Sequence, residues 1–116
     1  MNGRGGDFML PYTVDEIKNL ITPVAEKYGL AAVYLFGSYA RGEAHADSDV
    51  DLLVDLSGSK IRGILLGNLY SDLEEVLGTR VDLVTVSSLN QPTTHRSDAL
   101  FREAVRKERM IIYAAA

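Results

Sequence analysis

Apolar positions recur along this chain in two rhythms, one near 3.6 residues and one nearly continuous, and these lay out the elements before any chemistry is considered. From Thr13 to Tyr28, the residues Val14, Ile17, Ile21, Val24 and Tyr28 fall near helical spacing. Thr13-x-x-Glu16 forms a capping box at the start, and Gly29 supplies a stop. Pro23 lies inside this pattern and predicts a kink, or a split at Thr22. Ala31 to Phe36 is a short apolar run, the pattern of a strand buried on both faces. A polar, glycine-containing loop follows from Gly37 to Ser48, then a second strand from Val50 to Leu56. Ile61 to Leu77 reads as a long helix whose stripe is Ile61, Ile64, Leu65, Leu69, Leu73, Val76 and Leu77, closed by Gly78. Val81 to Val86 is a strand rich in β-branched residues, and Ser87 to Ser97 is irregular around Pro92. Ser97 to Arg109 reads as a third helix and Met110 to Tyr113 as a terminal strand.

The order α-β-β-α-β-α-β, with no internal repeat or dividing linker, predicts one α/β (α+β) unit. A mixed sheet of about four strands would be covered by helices. Residues 13–113 form this single domain, and residues 1–12 read as a flexible leader, Gly-rich up to Asp7 and without the apolar segment of a signal peptide.

Composition narrows the class. The chain has 116 residues, 47% hydrophobic and 24% charged, enough for a core without staples. It has no cysteine, which excludes thiol catalysis and thiolate metal sites and fits a cytoplasmic protein. Twelve basic against sixteen acidic side chains give a net charge of −4, which argues against tracking long nucleic acid by its phosphates. No apolar run approaches the ~20 residues of a membrane span.

The candidate chemistry lies in Gly37-Ser38-Tyr39-Ala40-Arg41-Gly42 and Ser48-Asp49-Val50-Asp51-Leu52. A buried strand that ends at Phe36 and turns through a glycine would put Ser38 at the start of a short helical turn. Backbone N–H groups and a hydroxyl there suit phosphate oxygens. Gly37-x-x-x-x-Gly42 is also half of a phosphate-binding P-loop, but Glu43 and Ala44 stand where that loop needs Lys and Ser or Thr. Asp49 and Asp51 are two residues apart on a strand, so both carboxylates leave one face, about 7 Å apart, while Val50 and Leu52 face the core. Oxygen donors so placed suit Mg²⁺ that also holds a substrate phosphate. If the strand holding Asp82 lies beside the second strand, Asp82 joins them. Three clustered carboxylates are costly without a cation, and a two-metal displacement at phosphorus accounts for them.

Gly37-Ser38, ten intervening residues, then Asp49-Val50-Asp51 resembles the signature of the nucleotidyltransferase superfamily related to DNA polymerase β. In so short a chain it is similar to the minimal nucleotidyltransferases (MNT), over about Thr13 to Tyr113. The resemblance implies the polymerase β-like fold. It further implies that Asp49 and Asp51 hold two Mg²⁺ ions on the nucleotide phosphates and that Asp82 completes one metal site and helps deprotonate the acceptor. Gly37 and Ser38 would contact the β- and γ-phosphates, and ATP would be the AMP donor. Arg41 has two readings: a contact for a phosphate or acidic group at the site, or a tie from the loop to a surface carboxylate.

No further domain is evident to grip an acceptor, so the minimal domain, an oligomer or a partner must do so. MNT proteins of this look pair with HEPN-domain RNase toxins, which implies AMP transfer to a toxin tyrosine. The alternatives are a non-catalytic antitoxin that binds through an apolar face or the Met110–Tyr113 edge, and nucleotidyl transfer to a small-molecule hydroxyl such as an aminoglycoside. Asp55 reads as structural or solvated and His45 and His95 as loop histidines. Arg102, Arg106, Lys107 and Arg109 read as a solvated helix face and a dipole-complementing end.

Overall fold

The computed structural model describes residues 11–61 and 63–115, so residues 1–10 of the expected leader lie outside the described residues. Tyr12, also assigned to the leader, is anchored, since its hydroxyl donates to the Leu77 carbonyl at 2.6 Å. The helices are α1 (Val14–Tyr28), α2 (Gly37–Arg41), α3 (Ile64–Leu77), α4 (Val86–Leu89) and α5 (Arg96–Glu108). The strands are β1 (Ala32–Phe36), β2 (Val50–Asp55), β3 (Val81–Thr85) and β4 (Met110–Ala114). They form one mixed sheet in the order β3-β2-β1-β4. β1 is antiparallel to both β2 and β4, and β2 and β3 are parallel.

Strand parity divides the core in two. Val33 and Leu35 of β1, Val50, Leu52 and Val54 of β2, and Val81 of β3 pack with Ile17 and Ile21 of α1 and Leu69, Leu73 and Leu77 of α3. On the opposite face a smaller cluster joins Phe36, Leu53, Leu89 of α4 and Val105 of α5. β1 is therefore covered on both sides, as its continuous apolar run implies.

α1 carries the full capping box between Thr13 and Glu16. Pro23 does not split it: α1 runs unbroken through Thr22. The Thr22 hydroxyl donates to the Lys18 carbonyl at 2.6 Å, and Ile21, Val24 and Ala25 are buried around the proline. Packing of that face outweighs the one backbone bond a proline removes. α3 begins three residues later than the stripe predicts, because Gly63 turns the chain at φ 54°. Ile61 is buried ahead of the helix, whereas Ile64 is 84% and Leu65 47% exposed. The embedded face is the i, i+4 row Leu69, Leu73, Leu77. The irregular segment after β3 contains the short helix α4, capped by the Thr85 hydroxyl on the Ser88 N–H.

The basic residues of α5 face solvent, Arg102 only partly, and several also make specific ties. Arg106 donates to the Leu89 carbonyl at 2.7 Å, and Arg102 donates to the Gln91 carbonyl, so the two close the carbonyl end of α4. Arg109 lies over the Tyr34 ring at 4.9 Å. Lys107 pairs with Glu103 along the helix.

The two ends of the expected α3 stripe are thus energetically unlike. Leu69→Ala is expected to cost about 2–5 kcal/mol and Ile64→Ser less than about 0.5 kcal/mol in urea unfolding.

Candidate active site

The sheet brings the candidate residues together by register. Asp82 of β3 is paired with Asp51 of β2, and Asp51 with Phe36 of β1. Paired residues on neighbouring strands leave the same face about 5 Å apart. Two carboxylates and a ring thus form a row on the face that carries the smaller core cluster. Asp49 shares their parity and lies just before β2. The expected juxtaposition of Asp82 with the Asp-x-Asp pair follows from the parallel pairing of β2 with β3.

Gly37 follows Phe36 and opens α2, with Gly42 ending that helix. It has φ 74°, and a Cβ there would sit 2.9 Å from Cγ of Asp51, inside van der Waals contact. The glycine is required twice, by its backbone angle and by the carboxylate against it. Ser38 is the next residue of α2 and lines the same cleft as Asp51 and Asp82. That cleft holds about 310 Å³. Ser38, Arg41, Asp51, Asp82 and Glu108 supply its polar lining, and Phe36 and Phe101 are among its apolar lining. The two rings meet edge to face at 6.0 Å.

Burial, with the nearby carboxylates of Asp82 and Asp49, pushes Asp51 up to about 6 from its ordinary 3.8. This strain on a half-buried carboxylate is what a hard dication relieves, and an all-oxygen donor set is what Mg²⁺ takes. The residues fit such an ion, with Asp51 and Asp82 as the juxtaposed pair. Among the described residues no three acidic or histidine side chains yet converge on one point. Asp49 is turned to the exposed Arg80, with Nε at 3.3 Å from its carboxylate.

Arg41 meets a carboxylate of each reading, Glu108 in the cleft lining and the exposed Glu43 outside it. Its Nη1 donates to both oxygens of Glu108, at 3.1 and 2.8 Å, and its Nε to Glu43 at 2.8 Å. Asp55 is structural, accepting from the Ser57 N–H at 2.9 Å, and His45 and His95 are exposed outside the cleft. Sequence reasoning missed Phe101 and Glu108. Their spacing with Val105, at i, i+4 and i+7, puts all three on one face of α5 and could have indicated them.

Residues 17–111 match the nucleotidyltransferase domain family. The chain belongs to this family. Among relatives of this nucleotidyltransferase, the protein adenylyltransferase MntA of Thermococcus cleftensis is 44% identical over 86 residues, 70% of this chain and 85% of that one. A solved toxin–antitoxin structure with AMP-PNP is 26% identical, with a TM-score of 0.63 over 84% of this chain and 73% of its own. A tri-AMPylated HEPN toxin in complex with an MNT antitoxin, from Shewanella oneidensis, matches at 22% identity and a TM-score of 0.61, over 89% and 74%. That likeness is one of fold. The α+β arrangement expected from the MNT resemblance is the one found.

Two outcomes follow for the nucleotidyltransferase without divalent ions. Asp51 holds its proton more tightly folded than unfolded, so folding takes up a proton between pH 3.8 and about 6. Stability falls as pH rises through that window, and the full penalty is present at pH 7. Asp51→Asn should therefore melt a few degrees above the wild type at pH 7, by about 1 kcal/mol given partial solvent screening, and lose that advantage at pH 3.5. Gly37→Ala should cost about 1–3 kcal/mol, because added atoms meet Asp51 as well as the backbone angle. Gly42→Ala, at a similar φ of 72° but with nothing within 4 Å, should cost about 1 kcal/mol in the same denaturation assay.

Proposed function

We propose that this nucleotidyltransferase moves AMP from ATP to a tyrosine of a HEPN-domain toxin and so silences it. The observation that carries the reading is the register of Asp82 and Asp51 on one sheet face, with Gly37 packed against Asp51. Likeness to a protein adenylyltransferase narrows the acceptor to a protein. The reaction would take place in the cytoplasm, where ATP and toxin meet.

In this reading Asp49 and Asp51 hold the divalent ions, and Asp82 completes one site. Bound Mg²⁺, two ions per site, supplies charge neutralisation for the triphosphate and orients it. Gly37 and Ser38 contact the β- and γ-phosphates, and Arg41 is a further nucleotide contact. The tyrosyl oxygen attacks the α-phosphorus and gives its proton to Asp82. The bond from the α-phosphorus to the bridging oxygen breaks, and pyrophosphate leaves. Rate enhancement comes mainly from positioning and charge. The exposed ring of Phe101, packed on the buried Phe36 beside the carboxylates, offers an aryl acceptor a surface.

A non-catalytic antitoxin is the second reading, favoured by one observation: β4 is an edge of the sheet, with Met110 and Ile111 exposed on it. Intact mass spectrometry of a co-expressed HEPN protein encoded beside this chain separates the two. The transferase reading expects mass gains in AMP steps with the wild type and none with Asp49→Asn/Asp51→Asn. Neutralisation that persists in the double variant, with no gain in either case, would favour binding alone.

A further inference from the structure

Arg41 and Glu108 present a chemical oddity in a cleft built for a polyanion. Glu108, the last residue of α5, puts a third carboxylate into a cleft that already holds Asp51 and Asp82. It is mostly buried, with its side chain 25% exposed, and both its oxygens are taken by a single guanidinium nitrogen of Arg41. Arg41 is the cation of that cleft lining, and it projects from the helix that Gly37 and Ser38 open. Arginine also holds phosphate oxygens, with two nitrogens in a fork, whereas here one nitrogen serves both oxygens of Glu108. The remaining Arg41 donor described, Nε, is held by the exposed Glu43 outside the cleft lining. Arg41 therefore cannot meet a phosphate with Nη1 while Glu108 keeps it.

We infer that Glu108 is an affinity-setting residue of the nucleotide site, a carboxylate that competes with the triphosphate for Arg41. Arg41 then has two states. Without nucleotide it ties α2 to α5 through Glu108. With nucleotide it turns to the phosphate, and Glu108 is released. No bond is made or broken, only an ion pair exchanged. Because the pair is part-exposed, its own strength is modest, so exchange is reversible. Glu108 then weakens nucleotide binding in two ways, by occupying Arg41 and by adding negative charge beside the phosphates.

This inference rests on the nucleotidyl-transfer reading, and the test separates the two. Glu108→Gln keeps the shape and one acceptor oxygen but removes the charge. It should bind ATP with Mg²⁺ roughly tenfold more tightly than the wild type by calorimetry. Glu108→Ala should move the same way, whereas Glu103→Gln, which pairs with Lys107 and not with Arg41, should stay within about twofold. In an Arg41→Gln background the gain from Glu108→Gln should shrink to less than about threefold, since the competition runs through Arg41. Equal or weaker binding by both Glu108 variants would overturn the inference and make Glu108 a positioning residue for Arg41. Tripolyphosphate, which has neither base nor ribose, is the second probe. If ATP is refused but tripolyphosphate binds tighter to Glu108→Gln, the adenylyl-donor reading falls and the exchange stands. If tripolyphosphate binds equally to both proteins, the exchange falls.

Discussion

The pressure on Asp51 organises this molecule. Its carboxylate is half-buried, faces Asp82 across two parallel strands, and has the Gly37 backbone packed against it. Such an arrangement opposes folding and survives only where the surroundings over-determine it. Those surroundings are on the other side of the sheet. Val50 and Leu52 flank Asp51 in sequence, are fully buried, and join α1 and α3 in the larger core. Strand parity makes the link unavoidable, because fixing Val50 and Leu52 in that core fixes Asp51 on the opposite face. The apolar face thus provides the stability and holds the charged face in place.

The charged face is managed by resident cations. Arg80 neutralises Asp49, and Arg41 neutralises Glu108 and Glu43. In both clusters the arginine is well exposed, at 81% for Arg80 and 44% for Arg41, where ion pairs contribute little to stability. Weakness is useful here. A strong pair at either place would have to be broken against its full strength before the site could take a metal or a phosphate. A weak one limits repulsion and, on the proposed function, would give way to a multivalent ligand.

Most of this was legible in the sequence, for an identifiable reason. Helices and strands with one buried face write a period into the chain, so α1, β1, β2, β3 and β4 follow the apolar pattern closely. The Gly-Ser and Asp-x-Asp spacing picked out Gly37, Ser38 and Asp51, which line one cleft, because a turn and a strand both impose fixed offsets. What the period does not encode is where the backbone departs from it. Gly63 rotates the start of α3 and exposes Ile64 and Leu65, which the stripe alone would bury. Thr22 and the buried face around Pro23 keep α1 whole, a tertiary effect that a local rule for proline omits. Glu108 and Phe101 escaped notice because α5 lies 45 or more residues from the aspartate motif, and nothing local to either tells that they meet. The ties of Arg102 and Arg106 were not legible because their partners are backbone carbonyls of another segment, invisible to side-chain patterning.

α5 is held differently from the other long helices. Among its residues Val105 alone is buried, whereas α1 and α3 each bury several. Its attachment relies on polar ties: Arg106 and Arg102 to the end of α4, and Glu108 to Arg41 of α2. A helix with few buried apolar contacts belongs to the less stable part of a fold. It also carries Phe101, the ring that lies in the cleft against Phe36. A ligand that drew Arg41 from Glu108 would remove the polar tie between α5 and α2 and leave the contacts of Phe101 and Val105 with Phe36 to hold the two sides of the cleft together.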